Sequence, residues 1–272
     1  MRFGKTKRRW NTVGGCVRGA SHIRKDMPCQ DALRVESTKH YLIVGMSDGH
    51  GSSACPYSDE GAKAAVDTAC DVFSGIFDGK SDPFLTISSN KDIWLPKQIE
   101  KKWKSAVAVV HEAHNREDNF SYELYGATLL TLVIADNFAF ALQLGDGDIL
   151  SIEAAGDNDV NVDWIIPPDG NLGPETNSLC QEKCWQYMKT KMIHLPEDYS
   201  APGDGFMFML STDGYTNSFY NNEGFKKAGA DFYKLWQDEG LNYIAENIDA
   251  WLEESSAQGS GDDISLALVV NE

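Results

Sequence analysis

Apolar residues in this chain gather in short runs separated by polar turns. The runs Asp31 to Val35, Tyr41 to Met46, Thr128 to Ala135, Phe138 to Leu144, Ile149 to Ile152, Phe206 to Leu210 and Ile264 to Val270 read as β-strands. Ala135-Asp136-Asn137 predicts a hairpin between two of them, and Gly145 to Asp148 predicts another turn. Three longer stretches carry a helical period instead. From Ile99 to His114 the apolar set Ile99, Trp103, Ala106, Val107 and Val110 falls mostly three or four apart. Leu241, Ile244, Ala245, Ile248, Trp251 and Leu252 make a second stripe, and a third helix is expected over Asp59 to Phe73. Many turn-linked strands with few long helices point to an α+β architecture rather than regular βαβ winding.

Two stretches interrupt this rhythm. Asp78 to Pro96 is rich in turn formers, and Asn158 to Gln186 contains Pro167-Pro168, Asp169-Gly170 and Gly173-Pro174. The second reads as an insertion or flap at about 158–186, because the strands after it are needed to complete the sheets. At 272 residues the chain is near the upper end of what one core serves, so residues 1–272 are expected to form a single domain.

Charge narrows the classes of partner. Lys and Arg number 24 against 41 Asp and Glu, a net charge of -17. Such a field repels nucleic acid and anionic membranes, and neither is expected to bind. Basic residues cluster only at Lys5, Lys7, Arg8 and Arg9, as a solubilising end or a local anion site. The six cysteines include one close pair, Cys180 and Cys184, with no second pair to make a zinc site. That pair reads as independent thiols or as a redox sensor on a helix turn. No secretory leader and no apolar run of about 18 residues is visible, so a cytoplasmic chain with reduced thiols is expected.

Candidate chemistry sits where the apolar runs end. Ser47-Asp48-Gly49-His50-Gly51 follows the run closing at Met46, placing a carboxylate at a strand end with glycines that permit a sharp turn. Met209-Leu210-Ser211-Thr212-Asp213-Gly214 repeats the arrangement. Gly261-Asp262-Asp263-Ile264, Gly145-Asp146-Gly147-Asp148 and Gln30-Asp31 supply three more acidic strand boundaries. Carboxylates and backbone carbonyls are hard-cation ligands. Two like charges at 4 Å repel by about 4 kcal/mol at an effective dielectric of 20, so converging aspartates call for a bound cation.

In order and content these pieces resemble the protein phosphatase 2C family of magnesium- or manganese-dependent serine/threonine phosphatases. The matching segments are Gln30-Asp31-Ala32, Asp48-Gly49-His50-Gly51, Gly126-Ala127-Thr128, Gly145-Asp146-Gly147, Ser211-Thr212-Asp213-Gly214 and Gly261-Asp262-Asp263-Ile264-Ser265. Gly19-Ala20-Ser21-His22 before Cys29-Gln30-Asp31 resembles a bacterial-type variant. The resemblance implies a four-layer α-β-β-α sandwich with two central antiparallel sheets. It implies hydrolysis of phosphoserine and phosphothreonine in proteins by water activated between two Mn²⁺ or Mg²⁺ ions, with a third ion held loosely.

Carried over by position, Asp48, Asp213 and Asp262 would be the core carboxylates and the Gly49 carbonyl would ligate the second ion. Asp31 would act near that ion, often through water, and Asp146 would help hold the third. His50 would be the general acid, beside Asp48 and Asp213 in the catalytic set. Gln30 stands where the family commonly has Glu, and Asp26 where it has a phosphate-gripping Arg. Arg24, Arg18 or His22 could take that grip, with Arg24 and His22 favoured. Asp263 replaces a frequent Asn, and Gly147-Asp148 a frequent Ser-Arg.

No His-Cys-x5-Arg signature of cysteine phosphatases is present. His111, His114 and His194 read as surface or packing residues, Trp103, Trp236 and Trp251 as core, and Trp164 as a core residue or a contact for a partner. The expected partner is a phosphorylated protein, with a regulatory partner at 158–186. The rival readings are a non-catalytic relative that binds phosphoprotein or a regulator, and a hydrolase of small phosphate esters.

Overall fold

In the central strands the apolar runs are nearly continuous because both faces of each strand are covered. The computed structural model describes residues 10–116, 119–156, 159–168, 176–195 and 205–271. The basic cluster Lys5 to Arg9 and the turns Asp169-Gly170 and Gly173-Pro174 lie outside the described residues. The first half of the chain holds β1 (Trp10–Val17), α1 (Ala20–Lys25), β2 (Ala32–Ser37), β3 (Leu42–Ser47), α2 (Ser58–Phe77), α3 (Pro83–Asn90), α4 (Trp94–Ala113) and β4 (Leu129–Ile134). Then come β5 (Phe138–Leu144), β6 (Asp148–Ala154), β7 (Val160–Trp164), β8 (Lys189–His194), β9 (Phe206–Ser211), α5 (Asp213–Thr216), α6 (Asn222–Gln258) and β10 (Ile264–Asn271).

Among the described residues two five-stranded antiparallel sheets result, ordered β1-β10-β9-β6-β7 and β2-β3-β4-β5-β8. The period of two along each strand divides the core into three layers. Leu42, Val44 and Met46 of β3 meet Phe208, Leu210, Ala267 and Val269 between the sheets. Ile43, between them in sequence, turns outward with Phe140 against Ala65, Phe73 and Trp103 of α2 and α4. On the opposite outer face Leu150, Met209 and Leu268 pack under Phe225, Tyr233, Ile244 and Leu252 of α6. The order of layers is helix, sheet, sheet, helix.

The structure adds elements that periodicity did not reveal. Val160–Trp164, expected within the insertion, is an edge strand paired to β6. The edge strand β8 carries Lys189 and Lys191 and only two apolar residues, Met192 and Ile193, which blunts the edge and dilutes the strand signal. Within the stretch expected as turns, α3 forms because the Asp82 side chain accepts the Leu85 N–H at 2.9 Å and Pro83 occupies the first turn. The C-terminal helical stripe extends backwards into α6, which breaks at Gly240 (φ 80°, ψ 169°), a conformation open to glycine. No helix among the described residues is long and apolar enough to cross a membrane.

Trp103 joins α2 and α4 on one outer face. It is fully buried, and its indole N–H donates to the Gly61 carbonyl at 2.9 Å. Trp103→Ala should cost about 3–5 kcal/mol of unfolding free energy. Trp103→Phe, which keeps a ring but loses the donor, should cost about 1–2 kcal/mol. Urea denaturation measures both, and a Trp103→Phe cost near zero would show that the hydrogen bond contributes nothing.

Candidate active site and metal centre

The site is assembled from the ends of strands. Beyond Ser47 the chain leaves β3 but keeps backbone pairing. The Thr128 N–H donates to the Asp48 carbonyl (2.8 Å), the Thr128 hydroxyl accepts the Asp48 N–H (2.9 Å), and the His50 N–H donates to the Gly126 carbonyl (3.0 Å). The Gly49 N–H donates to the Gln30 carbonyl at 3.1 Å. A β-carbon at Gly49 would lie 2.5 Å from the Ser58 carbonyl oxygen and 2.6 Å from that of Gln30, so glycine alone admits this approach. Asp213 opens α5 just beyond β9, and Asp262-Asp263 lead into β10. Asp146 lies in the turn between β5 and β6, and Asp31 immediately precedes β2.

Asp48, Asp146 and Asp213 come together, each offering a carboxylate oxygen, with these atoms all within 4.8 Å of one another. Burial, and then the charges of Asp31, Asp213, Asp262 and Asp146, hold the Asp48 carboxyl well above the usual range. Burial, Asp146 and Asp262 push Asp213 up to about 6, although Asn217 donates to it at 2.9 Å. Asp31 is raised chiefly by burial, against the Thr212 hydroxyl that donates to it at 2.8 Å. Burial lowers the His50 imidazole, and the Asp146 carboxylate opposes that shift.

A second group joins His22, Asp262 and Asp263. Asp263 is buried and accepts the Gly19 N–H (2.6 Å), the Gln30 N–H (2.6 Å) and His22 Nδ1 (2.8 Å). The ring therefore turns Nε2 toward Asp262, 3.9 Å from its Oδ1. The two groups are electrically continuous, since Asp262 acts on both Asp48 and Asp213.

The donors fit hard divalent cations. Carboxylates raised by burial and then by one another's charge lack positive charge, and buried Gln30 supplies a further acceptor. Its Nε2 donates to Ser58 Oγ at 2.6 Å, while its Oε1 is buried with no hydrogen-bond partner among the described residues. Oxygen ligands of this kind suit Mg²⁺ or Mn²⁺.

Other expected residues fall at the rim or away from it. Arg24 is exposed on α1, its Nη2 3.9 Å from where a β-carbon on Gly261 would stand. Asp26 caps α1 in the left-handed conformation (φ 53°) and is exposed. Arg18 donates to the Met27 carbonyl at 3.3 Å. Asp148 is buried and receives the Trp164 indole N–H (2.7 Å) and the Thr216 hydroxyl (2.6 Å), tying β7 and α5 to β6. His111 packs among Tyr125 and Phe120, and His194 lies against Phe84. Cys184 is buried in the outer core, with Cys180 packed against that core. Sequence reasoning missed Thr212 and Ser58, whose partners Asp31 and Gln30 lie 181 and 28 residues away, and Asn217, which sits four residues past Asp213; only the Thr212-Asp213 adjacency hinted at one of them.

A double-sheet sandwich with an acidic rim at its strand ends is the architecture of a metal-dependent phosphatase. Residues 18–253 match the family model described as protein phosphatase 2C, and the chain belongs to that family. No curated protein matches it. Among solved structures, a bacterial serine phosphatase aligns with a TM-score of 0.63 and 14% identity, covering 97% of this chain and 98% of its own. PppA, a regulatory component of the type VI secretion system in Pseudomonas aeruginosa, aligns at 0.58 with 16% identity, over 97% and 98%. The catalytic domain of the serine/threonine phosphatase PstP, in complex with two manganese ions, aligns at 0.58 with 16% identity, over 96% and 98%. These likenesses carry the fold.

The raised carboxyl of Asp213 has a sign in stability. With a folded value of about 6 against an ordinary 3.8, the folded metal-free protein binds more protons than the unfolded chain, so stability falls as pH rises through that window. Asp213→Asn should remove this loss. Thermal melting in excess chelator should show the variant gaining on the parent between about pH 4 and about pH 7. A gap between them that does not change with pH would contradict the assignment.

Proposed function

We propose that this protein hydrolyses phosphoserine and phosphothreonine in proteins at a dinuclear Mn²⁺ or Mg²⁺ centre. The convergence of Asp48, Asp146 and Asp213 within 4.8 Å supports this most directly, in a family whose members are metal-dependent phosphatases. Bound cations would neutralise the phosphate and acidify the attacking water. Asp48, Asp213, Asp262 and the Gly49 carbonyl would hold the two ions. Asp31, held by Thr212, would act on the second ion at a distance, and Asp146 would serve a third, weaker position.

His50 would protonate the departing alkoxide. Burial makes its imidazolium a stronger acid than an exposed one, and Asp146 keeps it within reach of protonation. Arg24 and His22 would hold the substrate phosphate from the rim, with His22 steadied through Nδ1 by Asp263.

Phosphate release from a phosphothreonine peptide should require added Mn²⁺ or Mg²⁺ and stop on chelation. Asp213→Ala should abolish it, and activity that survives thorough metal removal would sink the mechanism. His50→Gln should slow the peptide reaction by about 10²–10⁴-fold. The same variant should slow an aryl phosphate far less, because a phenolate leaves without a proton; equal losses on both substrates would remove His50 as the acid.

A further inference from the structure

Two thiols meet beside the Asp31 backbone. Cys16 Sγ lies 3.9 Å from Cys29 Sγ. Cys16 is exposed and Cys29 half-buried, and both are free. Cys16 also points at the Asp31 carbonyl (3.7 Å), and Cys29 at the carbonyls of Val17 (3.7 Å) and Asp31 (3.9 Å). The other cysteines lack this combination of proximity and access. Cys55, Cys70 and Cys184 are buried, and the Cys180 thiol donates to Ser178 Oγ at 3.2 Å.

The pair spans the two sheets. Cys16 belongs to β1 and stands opposite Ser265 of β10, two residues past Asp263. Cys29 directly precedes Gln30 and Asp31, which lead into β2 of the other sheet. Between them in sequence lies α1 with His22 and Arg24. We propose that Cys16 and Cys29 form a modification site: a hydroperoxide oxidises the pair to a disulfide that staples the sheets together and weakens cation binding at the site. The covalent step stands on the thiol geometry alone; its effect on cation binding rests on the metal reading proposed above.

The chemistry closes without another reactant. The Cys16 sulfur attacks the peroxide, the O–O bond breaks, and Cys16 becomes a sulfenic acid as its proton goes to the departing oxygen, which leaves as an alcohol or, from hydrogen peroxide, as water. The Cys29 sulfur then attacks the sulfenic sulfur, the S–O bond breaks, the S–S bond forms, and water departs. The two thiols are oxidised by two electrons and the peroxide is reduced by two.

Forming the bond draws the sulfurs together by about 2 Å, from contact to an S–S length of about 2.05 Å. The displaced backbone is the one that orders the site. The Gln30 N–H donates to Asp263 at 2.6 Å, the Gln30 carbonyl accepts the Gly49 N–H at 3.1 Å, and Asp31 accepts from Thr212 at 2.8 Å. Disturbing the groups that orient metal ligands typically costs about 10- to 100-fold in metal affinity.

The test treats the reduced, metal-free chain with hydrogen peroxide, then counts thiols by alkylation and maps cross-linked peptides by mass spectrometry. Two of the six thiols should be lost, in a Cys16–Cys29 linkage that dithiothreitol reverses. Cys16→Ser and Cys29→Ser should each prevent the linkage, while Cys180→Ser should not. Calorimetric titration with Mn²⁺ should show affinity reduced about 10- to 100-fold by oxidation in the parent chain and unchanged in Cys16→Ser. Oxidation that stops at single sulfenic or sulfinic acids, or links other cysteines, overturns the proposal. A cross-link that leaves Mn²⁺ affinity intact overturns the coupling to the site. Failure of the phosphatase reading would show separately, as a reduced chain that cross-links on oxidation but never releases phosphate.

Discussion

Crowded negative charge is the constraint on which this molecule turns. Asp31, Asp48 and Asp213 are withdrawn from water beside one another, with Asp146 and Asp262 adding their fields. At separations near 4 Å each charged pair opposes folding by about 4 kcal/mol at an effective dielectric of 20. Local structure could not hold these groups together. The restraint comes from two sheets locked by an interior layer of Val44, Met46, Phe208, Leu210 and Val269, whose strand ends the acidic loops merely extend. Hydrogen bonds from Thr212, Asn217 and the backbone of Gly19 and Gln30 spread the charge. Divalent cations would complete the neutralisation.

Legibility in the sequence follows burial. Central strands such as β3, β4 and β9 are covered on both faces and announce themselves as apolar runs. The edge strands β1, β7 and β8 are half exposed, and glycines, Asn161, Asp163 and lysines dilute their pattern. In the first half of α6 only Trp236 was read as core, although Phe225, Gly229, Phe232 and Tyr233 are also buried along it. Those positions are four aromatics and one glycine, which weakens an aliphatic period. In the site, the aspartates were readable because each follows or opens an apolar run. The contact of His22 with Asp263 was not, because its partners lie 241 positions apart.

Asp26 and Gln30 illustrate how a departure from a family pattern can be local in sequence and structural in cause. Position 26 closes a helix of six residues in a left-handed turn, which Asp tolerates and which leaves its side chain in solvent. Gln30 keeps the shape of a carboxylate side chain while giving up its charge, and its amide spends one end on Ser58. In a rim already crowded with acids, a neutral oxygen donor at that place lowers the repulsion to be overcome before any cation arrives.

The contact of Trp103 with Gly61 reaches further than its own layer. Gly61 lies one turn into α2, whose first residue, Ser58, touches Gly49 through its carbonyl and Gln30 through its hydroxyl. The seating of an outer helix is thereby written into the floor of the acidic rim. Drift at Trp103, a residue that meets none of the five aspartates, would retune the affinity of the rim for ions, giving natural variation a dial on the chemistry that leaves every ligand in place.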